Sequence, residues 1–513
     1  RRKRAIAGGF VHDPIPGIHR VAQFDFSSLY PSIIMTVNIG VDTLVGKFET
    51  LQDRIKYYNY IFSGEGENEI VNFLFFDEKR RDFEPKKMTV KELHTFIQKI
   101  QGSIAGNGVV FTNVSKSFFR SVLEELISKR KQEKKLWEET KDKSHYVKQW
   151  AYKILANSLY GYLGFENSRY FDPDLAESIT LTGQLLNKTL TMFIEEYGCE
   201  SLPDENTLSD LMKKTFTKVL QKYPEPDHQL LDVRDRIVYG DTDSIFIKFM
   251  LSENESPEIL QDFFKRIENN LNTLSRIFGE QLLFSRQNHL KLEFKYYGKM
   301  FLSNVKKRYA VYAIYPENTF DVKGFEIRRS DYPKFFKDSF ERVIEMLLKE
   351  NKTLDEIAQY INEVEEQGYK LCEVLDLSVG KPVTWSKSDY KTVPPGVKGM
   401  LLFNSLFWPY FGEGSKGVLF QIKLFPHNIP QERLRNYLEE LIKLTNQKKE
   451  AISSSWSHKE LYQNAKWLVI PRELSQRDKE EILSKVGEWF IVDVSSLVKT
   501  LWIDRMIDIG LYF

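Results

Sequence analysis

Cysteine is nearly missing from this sequence, with only Cys199 and Cys372 among 513 residues. Two cysteines cannot build the disulfide framework of a secreted scaffold. With no signal-peptide pattern after Arg1, a reducing interior is expected: the cytoplasm, or the host cytoplasm for a viral chain. No apolar run approaches the roughly 18 residues that a spanning helix needs, so no membrane partner is expected. Nothing repeats at a period of about 20 to 50 residues and no tract is of low complexity, which excludes solenoids and propellers. A large net charge is missing too. Against 73 Lys and Arg stand 72 Asp and Glu, a balance of +1, so any case for nucleic acid must rest on local clusters. The run Arg1-Arg2-Lys3-Arg4 is one such cluster, read first as a solvated end. Residue 1 is not Met, and a fragment boundary upstream of it is expected.

What is present is the composition of a globular protein, 42% hydrophobic and 28% charged. So long a chain exceeds what one core usually serves, and several units interleaved in sequence are expected. The pattern mixes α and β. Over Val21 to Phe26, Ala22, Phe24 and Phe26 share one face of a strand while Gln23 and Asp25 take the other, so an aspartate emerges beside a buried face. From Ser117, the residues Phe118, Phe119, Val122, Leu123, Leu126 and Ile127 recur at helical spacing, with a charged stretch to about Lys143. A second helix is expected from about Tyr146 to Tyr160, ended by Gly161 and Gly164, and the two form a helical hairpin. Ile237 to Tyr239 and Ile245 to Phe249 flank the polar turn Gly240-Asp241-Thr242-Asp243-Ser244, a β-hairpin with acid at its tip. After about residue 331 the chain turns helical. Phe336, Phe340, Val343, Ile344 and Leu347 form a stripe, and Thr353 with Glu356 makes a capping box. Residues 383 to 426, rich in Pro and Gly, are expected to interrupt the helices with loops and strands. The segment 200 to 232 reads as polar and peripheral.

Asp241 and Asp243 stand two apart, so an extended turn lets both carboxylates point to one side. Together they repel unless a cation intervenes. Magnesium suits, since it takes one or two carboxylates plus substrate phosphates. Asp25 supplies a third carboxylate if its strand lies beside the hairpin, and two ions about 3.5–4 Å apart would drive an in-line phosphoryl displacement. Alone, an Asp-x-Asp turn is as well a tight solvated hairpin. The residues after Asp25 shift that balance, because the sharp turn through Ser27, Ser28, Leu29 and Tyr30 exposes N–H groups fit for a triphosphate. Tyr30 would sit under the nucleotide sugar. On the second helix Lys153, Asn157 and Tyr160 share a face: a point charge for phosphate and a ring to pack on a base pair. Arg130 and Lys134, four apart on the first helix, are a matching cationic face or simply a solvated one.

Taken in order, Asp25 to Ile34, Lys153 to Gly161 and Tyr239 to Ser244 resemble the three polymerase motifs of family B DNA polymerases. Lys306-Lys307-Arg308-Tyr309 is similar to a fourth element that touches the primer–template duplex, and Gly324 to Asp331 resembles the join to the thumb. The wording at Val37-Asn38-Ile39, Asn107-Gly108, Arg169 to Asp172 and Pro394 to Gly399 is nearest to T-even-like phage enzymes, and archaeal members share much of it.

The resemblance implies an α+β right-hand polymerase with an antiparallel-sheet palm, helical-hairpin fingers and a mostly helical thumb. Its parts would be palm at 1–116 and 166–330, fingers at 117–165 and thumb at 331–513. It implies a DNA-directed DNA polymerase working in replication on primer–template DNA and dNTPs, with two Mg2+ ions or Mn2+ in their place. Asp25 and Asp243 would be the main metal ligands, with Asp241 assisting. Tyr30 would be the sugar gate. Ser28 and Leu29 would offer backbone contacts to phosphate, Arg130, Lys134, Lys153 and Asn157 would bind triphosphate, and Tyr160 would line the nascent pair. Lys306, Lys307, Arg308 and Tyr309 would lie along the duplex, as would Gly8 and Gly9, ahead of which Ile6 stands where the family has tyrosine. The acidic signatures of the family's 3′→5′ exonuclease, which lie ahead of this point, are absent. Either a longer polymerase is cut here or a separate polypeptide carries that half. The tail Asp508 to Phe513 would dock on a sliding clamp or pack on its own thumb. An inert polymerase-like scaffold and an RNA- or primer-making relative stand as alternatives.

Overall fold

The strand expected around Asp25 is β1 (Gly17–Phe26). Its end keeps the predicted alternation, Phe24 and Phe26 buried with Asp25 half-buried between them. Gln23, expected on the open side, is instead 6% exposed, because the sheet is covered on both faces here. The structure is a computed structural model that describes residues 6–222, 234–252, 255–386, 393–444, 465–508 and 510. It divides into two units, Arg1–Lys299 with Ala313–Thr319, and Met300–Tyr312 with Phe320–Phe513. The thumb junction expected after residue 330 lies inside the second.

In the first unit, α1 (Leu29–Val37) follows β1 directly. Between α1 and the helical hairpin comes a five-stranded antiparallel sheet that the sequence reading did not single out. It consists of β2 (Leu44–Phe48), β3 (Ile70–Asp77), β4 (Asp82–Thr89), β5 (Ser103–Ile104) and β6 (Val109–Phe111), in the order β4-β3-β2-β6-β5. Helices α2 (Leu51–Ser63) and α3 (Val90–Lys99) are interleaved with it.

The expected helical pair is α4 (Phe118–Thr140) and α5 (Lys143–Gly164). Sharp local chemistry sets its ends. The Ser117 side chain accepts from the Arg120 N–H to start α4, Lys141 turns left-handed at φ 57° to stop it, and the Asp142 carboxylate accepts from the Ser144 N–H to start α5. Ser117 is itself fixed at the base of the pair, donating its N–H to Asn38 Oδ1 at 2.9 Å. Next come α6 (Pro173–Tyr197) and α7 (Glu205–Lys222). The latter corrects the reading of 200 to 232 as polar and peripheral: Leu208, Met212, Phe216, Val219 and Leu220 are buried in the main core. Polar residues outnumber them in the segment, but they share one helix face. Residues 223–232 of that segment lie outside the described residues.

The hairpin β7 (Ile237–Asp241) and β8 (Ser244–Lys248) is where the sequence placed it. After α8 (Pro257–Ile277) comes β9 (Leu292–Leu302), whose residues to Lys299 belong to this unit. The strands carrying the acids lie in the order β9-β1-β8-β7.

The second unit takes up the chain through parts of β10 (Tyr309–Tyr315) and β11 (Thr319–Lys323). The predicted stripe is buried on α9 (Lys334–Leu348), and the predicted capping box opens α10 (Leu354–Glu373). A helical region alone does not describe this unit. A sheet of β12 (Lys381–Thr384), β13 (Lys416–Leu424), β14 (Trp467–Pro471) and β15 (Phe490–Val492) runs β12-β13-β14, with β15 also on β13. Helix α11 (Pro395–Leu406) occupies part of the segment expected to be loops and strands. The tail proposed to meet a clamp falls largely outside the described residues, which end at 508 and 510. No helix among the described residues is long and apolar enough to cross a membrane.

Cys199 and Cys372 are both buried, and burial pushes each thiol up to about 12. The thiolate is the reactive form, so neither residue should take up iodoacetamide at about pH 8 in the native chain, and both should do so in guanidinium. Intact-mass measurement checks this; rapid native labelling at either site would contradict the packing described.

Candidate active site

Two aspartates far apart in sequence meet because β1 and β8 pair. The antiparallel register sets Asp25 opposite Ser244, and the Phe26 N–H donates to the Asp243 carbonyl at 2.7 Å. The hairpin tip is tight. Thr242 is left-handed at φ 55°, and the Asp243 N–H reaches back to the Asp241 carbonyl at 2.6 Å. Gly240 has to be glycine, since a side chain there would meet His12 and the Ser244 carbonyl at 2.7–2.8 Å.

A segment near the N-terminus braces this tip from outside. The His12 N–H donates to the Gly240 carbonyl at 3.0 Å and the Thr242 N–H to the Phe10 carbonyl at 2.8 Å. His12 itself is fully buried, its Nε2 2.6 Å from Asn187 Oδ1 and 3.1 Å from Thr191 Oγ1.

After Phe26 the chain leaves the sheet. Ser27 N–H donates to the Lys291 carbonyl at 2.8 Å, and Ser28 turns left-handed at φ 51°. Ser28 gives α1 no side-chain cap, so the orphan N–H groups of the first turn are left to other partners. That turn lines a cavity of about 470 Å³ together with Asp25, Asp243, Arg130, Lys153, Asn157 and Tyr160.

The cavity is strongly charged. Burial raises the Asp243 carboxyl above its usual range and Asp241 adds to this, while the carboxylate-favouring influences are a backbone hydrogen bond, Lys153 and Lys295. Lys153 is lowered, first by burial and then by Arg130 and Lys295, against the pull of Asp243 and Asp25. Arg130 reaches Ser28 Oγ at 3.5 Å, and its Nε is buried without a hydrogen-bond partner. Tyr30 lies 4.6 Å ring to ring from Tyr160, and burial, Tyr160, Asp243 and Asp241 push its hydroxyl up to about 12. It is a neutral phenol at any working pH.

Of the expected residues, the cavity gathers Asp25, Ser28, Leu29, Tyr30, Arg130, Lys153, Asn157, Tyr160 and Asp243. Asp241 does not line it; Thr242 Oγ1 donates to its Oδ1 at 3.0 Å, and its charge is felt at Asp243 and Tyr30. Lys134 is not brought to the cavity and pairs with Glu138 at 3.7 Å. Gly9 packs against Thr242 and the Tyr30 hydroxyl, whereas Gly8 has open space at its α-carbon and accepts from Gln184 at 2.7 Å.

In the second unit, Lys306 and Lys307 are exposed, Arg308 pairs with the buried Glu326 at 3.6 Å, and Tyr309 is buried. Gly324 at φ 69° packs so closely on the Lys307 carbonyl that a side chain there would collide. The sequence reading missed Glu293 and Lys295, which line the cavity from β9. The signal existed: they alternate with Leu292 and Phe294 as Asp25 alternates with Phe24 and Phe26.

Among the described residues no group of three or more His, Cys, Asp or Glu forms a metal cage. Magnesium takes few protein carboxylates and completes its shell with substrate phosphates and water. Hard carboxylate oxygens at Asp25 and Asp243, both lining the cavity, fit such an ion.

The family model for DNA polymerase family B matches residues 1–391. The chain belongs to DNA polymerase family B. DNA polymerase 2 of Aeropyrum pernix is 26% identical over 409 residues, 78% of this chain and 38% of that protein. DNA polymerase of Thermococcus sp. (strain 9oN-7) is 28% identical, covering 77% of this chain and 39% of the relative. The DNA polymerase catalytic subunit of Alcelaphine herpesvirus 1 is 26% identical over 67% of this chain. The chain therefore spans under two-fifths of the length of these relatives. A solved structure of the family B DNA polymerase from the archaeon Pyrobaculum calidifontis covers 99% of the chain at 18% identity and a TM-score of 0.49, the chain covering 47% of that protein.

A methyl group added at Gly9 would lie 2.6–3.0 Å from Thr242 and the Tyr30 hydroxyl, while one at Gly8 meets nothing within 4 Å. Gly9→Ala should therefore lower unfolding stability by about 1–3 kcal/mol through overpacking, and Gly8→Ala should be nearly neutral. Paired denaturant titrations check this, and equal effects would mean that the N-terminal segment does not bear on the hairpin.

Proposed function

We propose that the chain is the polymerising core of a template-directed DNA polymerase, adding deoxynucleotides to a primer 3′-hydroxyl. The observation that carries this is the convergence of Asp25 and Asp243 on one cavity with Arg130, Lys153 and the first turn of α1. In this reading the acid-bearing sheet is the palm (1–116 and 166–330), α4 and α5 are the fingers (117–165), and residues 331–513 are the thumb.

Asp25 and Asp243 would hold two divalent ions, Mg2+ or Mn2+, with Asp241 assisting from the edge. When bound, these ions supply positive charge at the attacking and leaving oxygens. The chain's own residues orient the substrate. The first-turn N–H groups of α1 receive the phosphates. Arg130 and Lys153 neutralise charge that builds on the leaving pyrophosphate as the primer O3′–Pα bond forms and the Pα–O bond to the β-phosphate breaks. Asn157 and Tyr160 lie on the same helix face as Lys153, where the nascent pair would pack. Tyr30, which lies 4.6 Å ring to ring from Tyr160 and lines the cavity, would exclude a 2′-hydroxyl.

Sequence choice would come from pairing with the template, so protein contacts fall mostly on backbone. Lys306 and Lys307 would contribute there, with Arg308 and the buried Tyr309 supporting the loop. Duplex affinity should accordingly fall as salt rises.

Asp243→Ala should abolish primer extension while leaving duplex binding within about threefold, since one carboxylate is not a phosphate contact. A gel extension assay alongside an anisotropy titration reads both, and normal extension by this variant would overturn the assignment. Tyr30→Ala should admit ribonucleotides at least about tenfold more readily, on the order of 1.4 kcal/mol of lost discrimination. Competition between dNTPs and rNTPs measures it, and an unchanged sugar preference removes Tyr30 as the gate.

A further inference from the structure

The cavity holds an ion pair that the polymerase motifs do not contain. Phe294 on β9 faces the core, stacked on Phe264 at 4.5 Å and edge-on to Phe24 at 5.6 Å. Alternation along the strand turns its neighbours Glu293 and Lys295 the other way, and both line the cavity. Their side chains meet at 3.4 Å and remain 42% and 39% exposed.

A pair so exposed contributes little to stability. An anion with more charge than a carboxylate can therefore take the ammonium from Glu293 at little cost. Lys295 is also close enough to Asp243 and Lys153 to act on the charge of both. Among the described residues lining the cavity, the helices contribute the cations Arg130 and Lys153 and the sheet contributes Lys295.

We propose that Lys295 is a polyphosphate-binding residue that trades its Glu293 partner for the phosphate oxygens of an incoming nucleoside triphosphate, with Glu293 acting as competitor for the same ammonium. This rests on the nucleotide-polymerising reading above. The exchange is non-covalent: one N–H···O contact to a carboxylate is replaced by one or more to phosphate, which bears more negative charge and more acceptor oxygens. Glu293 then faces the cavity as a free carboxylate, so it sets how tightly the nucleotide is held rather than adding to the grip. The same contact would retain pyrophosphate, so Lys295 should govern product inhibition as well as substrate affinity.

The decisive feature is that two variants that break the same ion pair should act in opposite directions. Lys295→Ala should raise KM for dNTP by about 10- to 100-fold, the range for a lost hydrogen bond to a charged group, with kcat changed less than about threefold. It should weaken pyrophosphate inhibition in parallel, and Lys295→Arg should recover most of both. Glu293→Gln should lower KM, because the ammonium has lost its rival.

Each variant is assayed on the full chain by single-nucleotide extension. A fluorescent dNTP is also titrated onto the chain bound to a dideoxy-terminated primer–template, which reads affinity without turnover. Glu293→Gln and Lys295→Ala impairing nucleotide use alike would make the pair merely structural and overturn the proposal, as would an unchanged KM and pyrophosphate sensitivity in Lys295→Ala. A parent chain that neither extends a primer nor binds dNTP would instead sink the underlying polymerase reading, and the two failures are thereby told apart.

Discussion

Everything at the site depends on one backbone contact, the Phe26 N–H held to the Asp243 carbonyl where β1 meets the tip of the β7–β8 hairpin. It closes the ladder that pairs Asp25 with Ser244, and so forces two carboxylates into one cavity. Like charges do not gather by themselves. The sheet holds them there because its hydrogen bonds and the packing of Phe24, Phe26 and Phe246 supply the free energy that their repulsion and desolvation consume.

The electrostatic consequence is a site in tension. A carboxyl whose folded pKa lies above its unfolded value opposes folding once pH exceeds that unfolded value, because ionising it costs more in the fold than in water. Asp243 is such a group, raised by burial and by Asp241. Lys153 is the mirror case, a cation disfavoured by burial and by Arg130 and Lys295. In the proposed reading a polyanion carrying divalent cations would relieve both at once, the acids holding the cations and Arg130, Lys153 and Lys295 the phosphates, so that substrate binding and relief of internal repulsion would be one event.

The hairpin tip shows how this tension is contained. Thr242 and Ser28 both adopt left-handed backbone, which non-glycine residues take at a cost. Each is pinned by neighbours, Thr242 through the Phe10 carbonyl and Ser28 between Ser27, bound to Lys291, and the start of α1. Gly9 and Gly240 admit the backbone approaches that larger residues would block.

By itself, the sequence determined the local elements and the chemistry they carry. Alternation gave β1 and the β7–β8 hairpin, helical spacing gave α4 and α5, and Thr353 with Glu356 gave the start of α10, because each of these signals is set by residues within a turn or two of one another. Family motifs then named the acids, Tyr30 and Lys153. What only the tertiary structure decided is which of these residues share a space. The burial of α7 under a polar-looking segment, the displacement of Lys134 from the cavity to Glu138 and the entry of Glu293 and Lys295 into it arise from strand order and helix placement. Those are fixed by contacts between residues distant in sequence, and local periodicity carries no record of them.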